Sequence, residues 1–188
     1  MNAERTGGLG LATAALIALL GTTGIKNCER VTVYELRPES SVTQGCFEPC
    51  RCPIALFEEL SGSFLLHERL PAEPSLFRQF TVFLVQWKLQ RGDDSVPITG
   101  SGRYIVGGEF ASLQRLELDL GFGDEPAQHF DSGLVVGGGD FPLINARISV
   151  NGQFCYDIVI DVVAAPAGSP GAAVSGLSQR GGQVGTRG

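Results

Sequence analysis

Residues Leu143 to Val163, LINARISVNGQFCYDIVIDVV, constrain the fold more than any other stretch, because their alternation reads as two strands joined by a turn. Ile144, Ala146 and Ile148 share one face of the first arm, while Asn145, Arg147 and Ser149 share the other. The second arm groups Phe154, Tyr156, Ile158, Ile160 and Val162. Asn151-Gly152 suggests a two-residue type I′ turn, but that register would set the apolar row of one arm against the polar row of its partner. A three-residue loop, Val150-Asn151-Gly152, with Gly152 left-handed, pairs Ile148 with Phe154, Ala146 with Tyr156 and Ile144 with Ile158. Both apolar rows then face one core, and Cys155, Asp157, Val159 and Asp161 face outward.

Similar alternation recurs along the chain. Strands are expected at Arg30 to Arg37, Leu60 to Glu68, Phe77 to Gln90, Ile98 to Val106, Phe110 to Leu120 and Gln128 to Val136, with Gly and Pro turns between them. Phe83, Val85, Trp87 and Leu89 are expected to be cofacial, as are Leu116, Leu118 and Leu120, and Phe130, Leu134 and Val136. No crossover helices interrupt the pattern. The expected fold is all-β: an antiparallel β-sandwich or an up-and-down β-barrel of about eight strands.

Three regions follow from composition. Residues 1–27 read as a signal peptide, with Arg5 as the charged start, Leu9 to Leu20 as the apolar run and Gly21-Thr-Thr-Gly24 as small residues for cleavage. The minor alternative is a membrane anchor formed by residues 9–24, although spanning a bilayer takes about 20 apolar residues. Ile25-Lys26-Asn27 before Cys28 lacks the small residues of a lipoprotein cleavage site. Residues 28–163 are expected to form one domain with a Cys-rich loop at 44–53, and 164–188 a disordered Gly, Ala, Ser and Pro tail. The expected localisation is therefore secreted or periplasmic, with no stable membrane span after signal removal.

Export makes disulfides the first reading of Cys28, Cys46, Cys50, Cys52 and Cys155. Five thiols cannot all pair within one chain, and Cys50 and Cys52 are too close in sequence for an ordinary bridge to each other. A bond from Cys155 to Cys46, Cys50 or Cys52 would clamp the Cys-rich loop over the outside of the sheet. A metal site built on Cys46-x3-Cys50-x-Cys52 lacks the usual zinc spacing.

The net charge of -6, with two lysines against twelve arginines, argues against a nucleic-acid partner. No GxSxG, HExxH, P-loop or strand-to-helix GxGxxG motif is present. His67 and His129 are the two histidines, and His129 with Asp131 is the best local constellation, though it lacks a nucleophile. Glu117 with Asp119, and Asp157 with Asp161, are carboxylate pairs that read first as the wet side of a sheet. Asp124, Glu125, Asp131 and Asp140 lie near Gly-rich turns but match no EF-hand spacing. Arg91-Gly92-Asp93 reads as a displayed turn, and no cofactor is implied.

The leading expectation is an exported, non-catalytic binding module for an extracellular protein, a glycan or a small apolar ligand. A small apolar-ligand carrier is the first alternative, its cavity lined by Trp87, Phe83, Phe110, Phe130 and Tyr104. A carboxylate-dependent hydrolase is the second.

Overall fold

In the computed structural model, residues 30–53, 55–70, 73–137 and 140–169 are described. Cys28 and the expected signal segment lie outside them, as does the tail from residue 170. Among the described residues, ten strands form one antiparallel sheet. In chain order they are β1 (Val31–Leu36), β2 (Ser41–Cys46), β3 (Leu56–Arg69), β4 (Phe77–Arg91), β5 (Asp94–Gly107), β6 (Leu113–Phe122), β7 (Gln128–Asp131), β8 (Val135–Val136), β9 (Ile144–Ser149) and β10 (Tyr156–Pro166). The all-β, antiparallel expectation holds.

The strand pairing closes into a ring of hydrogen bonds. Each of β3, β4, β5, β6 and β7 pairs with the next, β7 meets β9, β9 pairs with β10, and β10 returns to β1 and β2. Both β1 and β2 lie between β10 and β3, end to end. β1 takes Pro166 to Ala164 on one side and His67 to Ser63 on the other, whereas β2 takes Tyr156 to Asp161 and Glu59 to Leu56. Pro38 separates them, and the buried Ser40 hydroxyl repairs the break by donating to the Val163 carbonyl at 2.9 Å and accepting from the Val163 N–H at 3.0 Å.

The core is the inner face of this ring. Leu116, Leu118 and Leu120 point into it as expected, with Ile98, Tyr104 and Val106 from β5 and Leu60, Phe64 and Leu66 from β3. Aromatic rings run through it, from Tyr34 to Phe64 at 5.4 Å and Phe64 to Trp87 at 6.1 Å. Phe141 closes one end, 5.2 Å from Phe80 and 6.2 Å from Tyr104.

The expected face of β4 needs correction. Phe83 does not share a side with Val85, Trp87 and Leu89, because β4 carries one extra residue relative to both neighbours between Val82 and Val85. Leu84 takes a φ of 49° there. A bulge of this kind exchanges the faces, so Phe80 and Val82 are buried before it and Val85, Trp87 and Leu89 after it.

Residues 128–136 are likewise not one strand. The chain turns at Gly133, where φ is 64°, so Phe130 is buried while Leu134 and Val136 are exposed. β8 pairs with β6, and β7 reaches β9 only through Asp131 opposite Ser149. Across this narrow seam the buried Tyr104 hydroxyl donates to Gln114 Oε1 at 3.1 Å, and Gln114 Nε2 donates to the Asn145 carbonyl.

The hairpin that organised the sequence reading keeps its faces but not its register. Ile148 pairs with Ile160, Ala146 with Val162 and Ile144 with Ala164. The displacement is an even number of residues, so both apolar rows still meet the core. Phe154 and Tyr156, expected inside, are exposed. Two left-handed residues, Gln153 at φ 64° and Cys155 at φ 54°, break the arm before Tyr156. Three smaller boundaries also move. Gln44 to Cys46 belong to β2 rather than to the Cys-rich loop, β6 begins at Leu113 rather than Phe110, and β10 continues through Ala164 and Ala165, which are buried, to Pro166.

Candidate functional site

Polar side chains gather on the outer face of β5, β6 and β7. The register sets Ser101 opposite Asp119 and Asp119 opposite His129, and in the next row sets Thr81, Arg103, Glu117 and Asp131 side by side. Glu117 lies beneath two guanidinium groups, pairing with Arg103 Nε and with Arg115 Nη2, the latter at 2.6 Å. Its side chain is only 6% exposed, so the two arginines cover it. Arg115 also holds Asp131 in a two-pronged bond, Nε to Oδ1 at 3.0 Å and Nη2 to Oδ2 at 2.7 Å. That bond is the main reason the Asp131 carboxyl is held below its ordinary pKa, and the Gly133 N–H donating to Oδ1 at 2.8 Å adds to it.

His129 Nδ1 lies 2.8 Å from Asp119 Oδ1, so the imidazole is oriented by Asp119 and not, as the sequence suggests, by Asp131. Ser101, Asp119 and His129 are residue types that hydrolases combine. Their order here is unsuited to that use, because Asp119 lies between the other two. Two interstrand steps put Ser101 about 9.5 Å from His129, out of hydrogen-bond reach. Around this face Arg69, Thr81, Gly102, Arg103, Glu117, Asp119 and His129 line an open recess of about 370 Å³.

A different kind of surface lies at the end of the ring where β2 passes into β3 and β9 into β10. Cys46 is bonded to Cys52 and Cys50 to Cys155, so both bridges tie residues 47–53 to the sheet. Cys155 is therefore joined to the Cys-rich loop, and the Phe47 N–H donates to the Cys155 carbonyl at 2.9 Å. Beside the bridges, the buried Asp157 carboxylate accepts the backbone N–H groups of Val150, Asn151, Gln153 and Ile158 at 2.7–3.2 Å. It is a structural anchor for the 150–155 turn, not a wet surface acid. Asp161 is likewise engaged, by Arg147 at 2.7 and 3.1 Å.

Four large side chains stay in water around this clamped end: Leu56 (49% exposed), Phe57 (69%), Phe154 (61%) and Tyr156 (57%). Leu56 faces Gln44 across β3 and β2, and Gln44 Nε2 donates to the Tyr156 hydroxyl at 2.7 Å. Leu56 and Tyr156 therefore flank Gln44 across three adjoining strands, whereas Phe57, next to Leu56 on β3, projects from the opposite face at the same end.

The pocket residues expected from sequence do not converge. Trp87, Tyr104 and Phe130 are buried in the packed core, Phe83 is half-buried on the outer side of the β4 bulge, and Phe110 is 95% exposed in the loop between β5 and β6. Arg91 of the Arg-Gly-Asp turn is occupied by Glu58, at 2.6 and 3.0 Å. Among the described residues, no group of three or more His, Cys, Asp or Glu side chains is arranged to hold a metal ion.

Two features escaped the sequence reading. Arg103 as a partner of Glu117 was detectable only from the β5 to β6 register, whereas Arg115 lies two residues before Glu117 on the same face of β6. The exposure of Phe57 had a faint signal in its place between Leu56 and the acidic pair Glu58-Glu59. No family model, curated protein or solved structure matches this chain.

Proposed function

We propose that this chain is an exported, non-catalytic binding module that meets an extracellular protein at its disulfide-clamped end. The observation that carries the reading is the exposure of Phe57, Phe154 and Tyr156 on segments tied by Cys46–Cys52 and Cys50–Cys155. A single exposed apolar side chain is ordinary, but several on one rigid rim are what a protein partner buries. Cross-links that hold such side chains in place lower the ordering entropy of association. Disulfides persist in oxidising compartments, and the apolar run from Leu9 to Leu20 reads as an export signal, so both features support an exported location.

The other readings have less support. An apolar-ligand carrier loses its lining, since Trp87, Tyr104 and Phe130 are packed against other core residues and Phe110 faces outward. A hydrolase would need free carboxylates, whereas Glu117, Asp131 and Asp161 are each held by arginine.

The test is a binding screen of the oxidised full chain against extracellular proteins and glycans. Any protein ligand found is then measured against a Phe57→Ala/Phe154→Ala/Tyr156→Ala variant and, as a control, Arg103→Gln. Loss of affinity by at least about tenfold in the triple variant alone is expected, as for aromatic anchors at an interface. Undiminished binding in the triple variant, or a glycan as the tight ligand, would overturn the proposal.

A further inference from the structure

We infer that the opposite end of the ring rests on a lipid bilayer, so that the disulfide-clamped end points away from the membrane. This does not rest on the binding reading above. The opposite end carries the loops that leave β3, β5 and β7, and each exposes large apolar side chains: Leu70 at 71%, Leu76 at 64%, Phe110 at 95%, Leu134 at 54% and Val136 at 72%.

Backbone bonds join these loops into one surface. The Gly108 N–H donates to the Leu76 carbonyl at 3.1 Å, the Gly137 N–H donates to the Ser112 carbonyl at 2.8 Å, and Leu113 faces Val136. The side chains are therefore neighbours on one rim and not scattered singly.

What covers this rim is indicated by where the chain leads. β1 starts at Val31, which pairs with His67 close to Leu70, so the first strand begins at this same end. That segment carries the apolar run from Leu9 to Leu20, and residues 21–30 between it and β1 reach at most about 35 Å when extended. Retained as the membrane anchor that residues 9–24 offer in place of a cleaved signal, this segment holds the rim within reach of the lipid surface it enters.

Charge does not supply the attraction. The chain is net negative and Lys26 and Lys88 are its only lysines, so the contact is apolar and does not require anionic headgroups. In that position Phe110 sits about 5–10 Å into the boundary between headgroups and acyl chains, the depth at which interfacial apolar side chains settle.

The experiment uses the full chain with phosphatidylcholine vesicles whose acyl chains carry bromine as a contact quencher. Phe110→Trp and Phe154→Trp are compared with the unsubstituted chain, whose single Trp87 is buried and gives the background. Quenching of the Phe110→Trp emission well above background, with none for Phe154→Trp, is expected. Weaker co-flotation of a Leu76→Ser/Phe110→Ser variant, with unchanged urea unfolding, is the matching result. Equal quenching at both ends, or none at either, overturns the inference. So does shielding of the Phe110→Trp ring from aqueous iodide without vesicles, which would mean that the N-terminal segment or a second copy covers the rim.

Discussion

The Asp157 carboxylate takes the amide N–H of Gln153 at 2.7 Å, and Gln153 is one of two left-handed residues other than glycine in the turn that this bond closes. The same carboxylate also holds Val150, Asn151 and Ile158, so one side chain satisfies four backbone donors at a buried position. Asp157→Ala removes this acceptor from all four, leaving Val150 only the Ile158 carbonyl at 3.4 Å, and is expected to destabilise by about 2–4 kcal/mol. Asp157→Asn keeps one acceptor oxygen and should fall between. Urea unfolding checks the order, and equal stability of the three proteins would show that the turn does not depend on this carboxylate.

The two bridges close loops of very different length, with sequence separations of 105 for Cys50–Cys155 and 6 for Cys46–Cys52. In the chain-entropy account the longer loop stabilises by about 5 kcal/mol and the shorter by about 2 kcal/mol. Cys155→Ser should therefore lower the unfolding free energy by clearly more than Cys52→Ser. Peptide mapping without reduction is expected to recover Cys50 joined to Cys155, and a Cys46 to Cys155 peptide would contradict the pairing.

Acid should weaken the fold through Asp131 and Glu68. Hydrogen bonds from Arg115 and Arg78 respectively are the largest cause of their lowered pKa values. A carboxyl whose folded pKa is depressed contributes stability above its unfolded value, about 4, and loses it as pH falls through the folded value. Each pair is partly exposed and so contributes only about 0.2–1 kcal/mol. The thermal midpoint should fall below about pH 4, and less steeply in Asp131→Asn.

Alkali acts through the tyrosines. Burial pushes Tyr34 up to about 12, partly offset by Arg78, and burial raises Tyr104 as well. A raised folded pKa means that the unfolded chain releases its proton first, so stability is full below about pH 10 and declines as pH rises through the folded value. Phenolate absorbance from Tyr34 and Tyr104 should therefore appear only with unfolding. Its appearance near pH 10 in a chain that retains its near-ultraviolet dichroism would count against their burial.

At Gly102 a Cβ would overlap the Glu117 carbonyl oxygen and lie 2.8 Å from Leu118 Cα. Gly102→Ala should destabilise by about 1–3 kcal/mol, since the obstruction is backbone and not a movable side chain. Ser101→Ala on the same strand is exposed and should change stability by no more than about 0.5 kcal/mol.

The candidate surfaces were less legible than the fold. The acidic residues Glu117, Asp119 and Asp157 stand out in the sequence, but their partners are Arg103 and Arg115 on Glu117, His129 on Asp119 and four backbone amides on Asp157. A partner on the neighbouring strand, as Arg103 and His129 are, leaves no local trace. The exposed rim of Phe57, Phe154 and Tyr156 was hidden for the opposite reason. Phe154 and Tyr156 continue the alternation of β10, so the pattern assigns them to a core that the strand has already left.

By itself, the sequence determined most of the segments that are strands, though not β2, and which face of most of them is apolar, because side-chain alternation is a property of each strand alone. Leu116, Leu118 and Leu120, like Ile144, Ala146 and Ile148, follow that rule. Only the tertiary structure decided the register of β9 on β10, the exchange of faces at Leu84, the return of β10 to β1 and β2, and the bonding of Cys155 to Cys50. An even slip leaves every side chain on its own face, so alternation cannot tell one such register from another. The choice fell to contacts between residues distant in sequence, the Cys50–Cys155 bridge among them, and to the local turn that Asp157 holds.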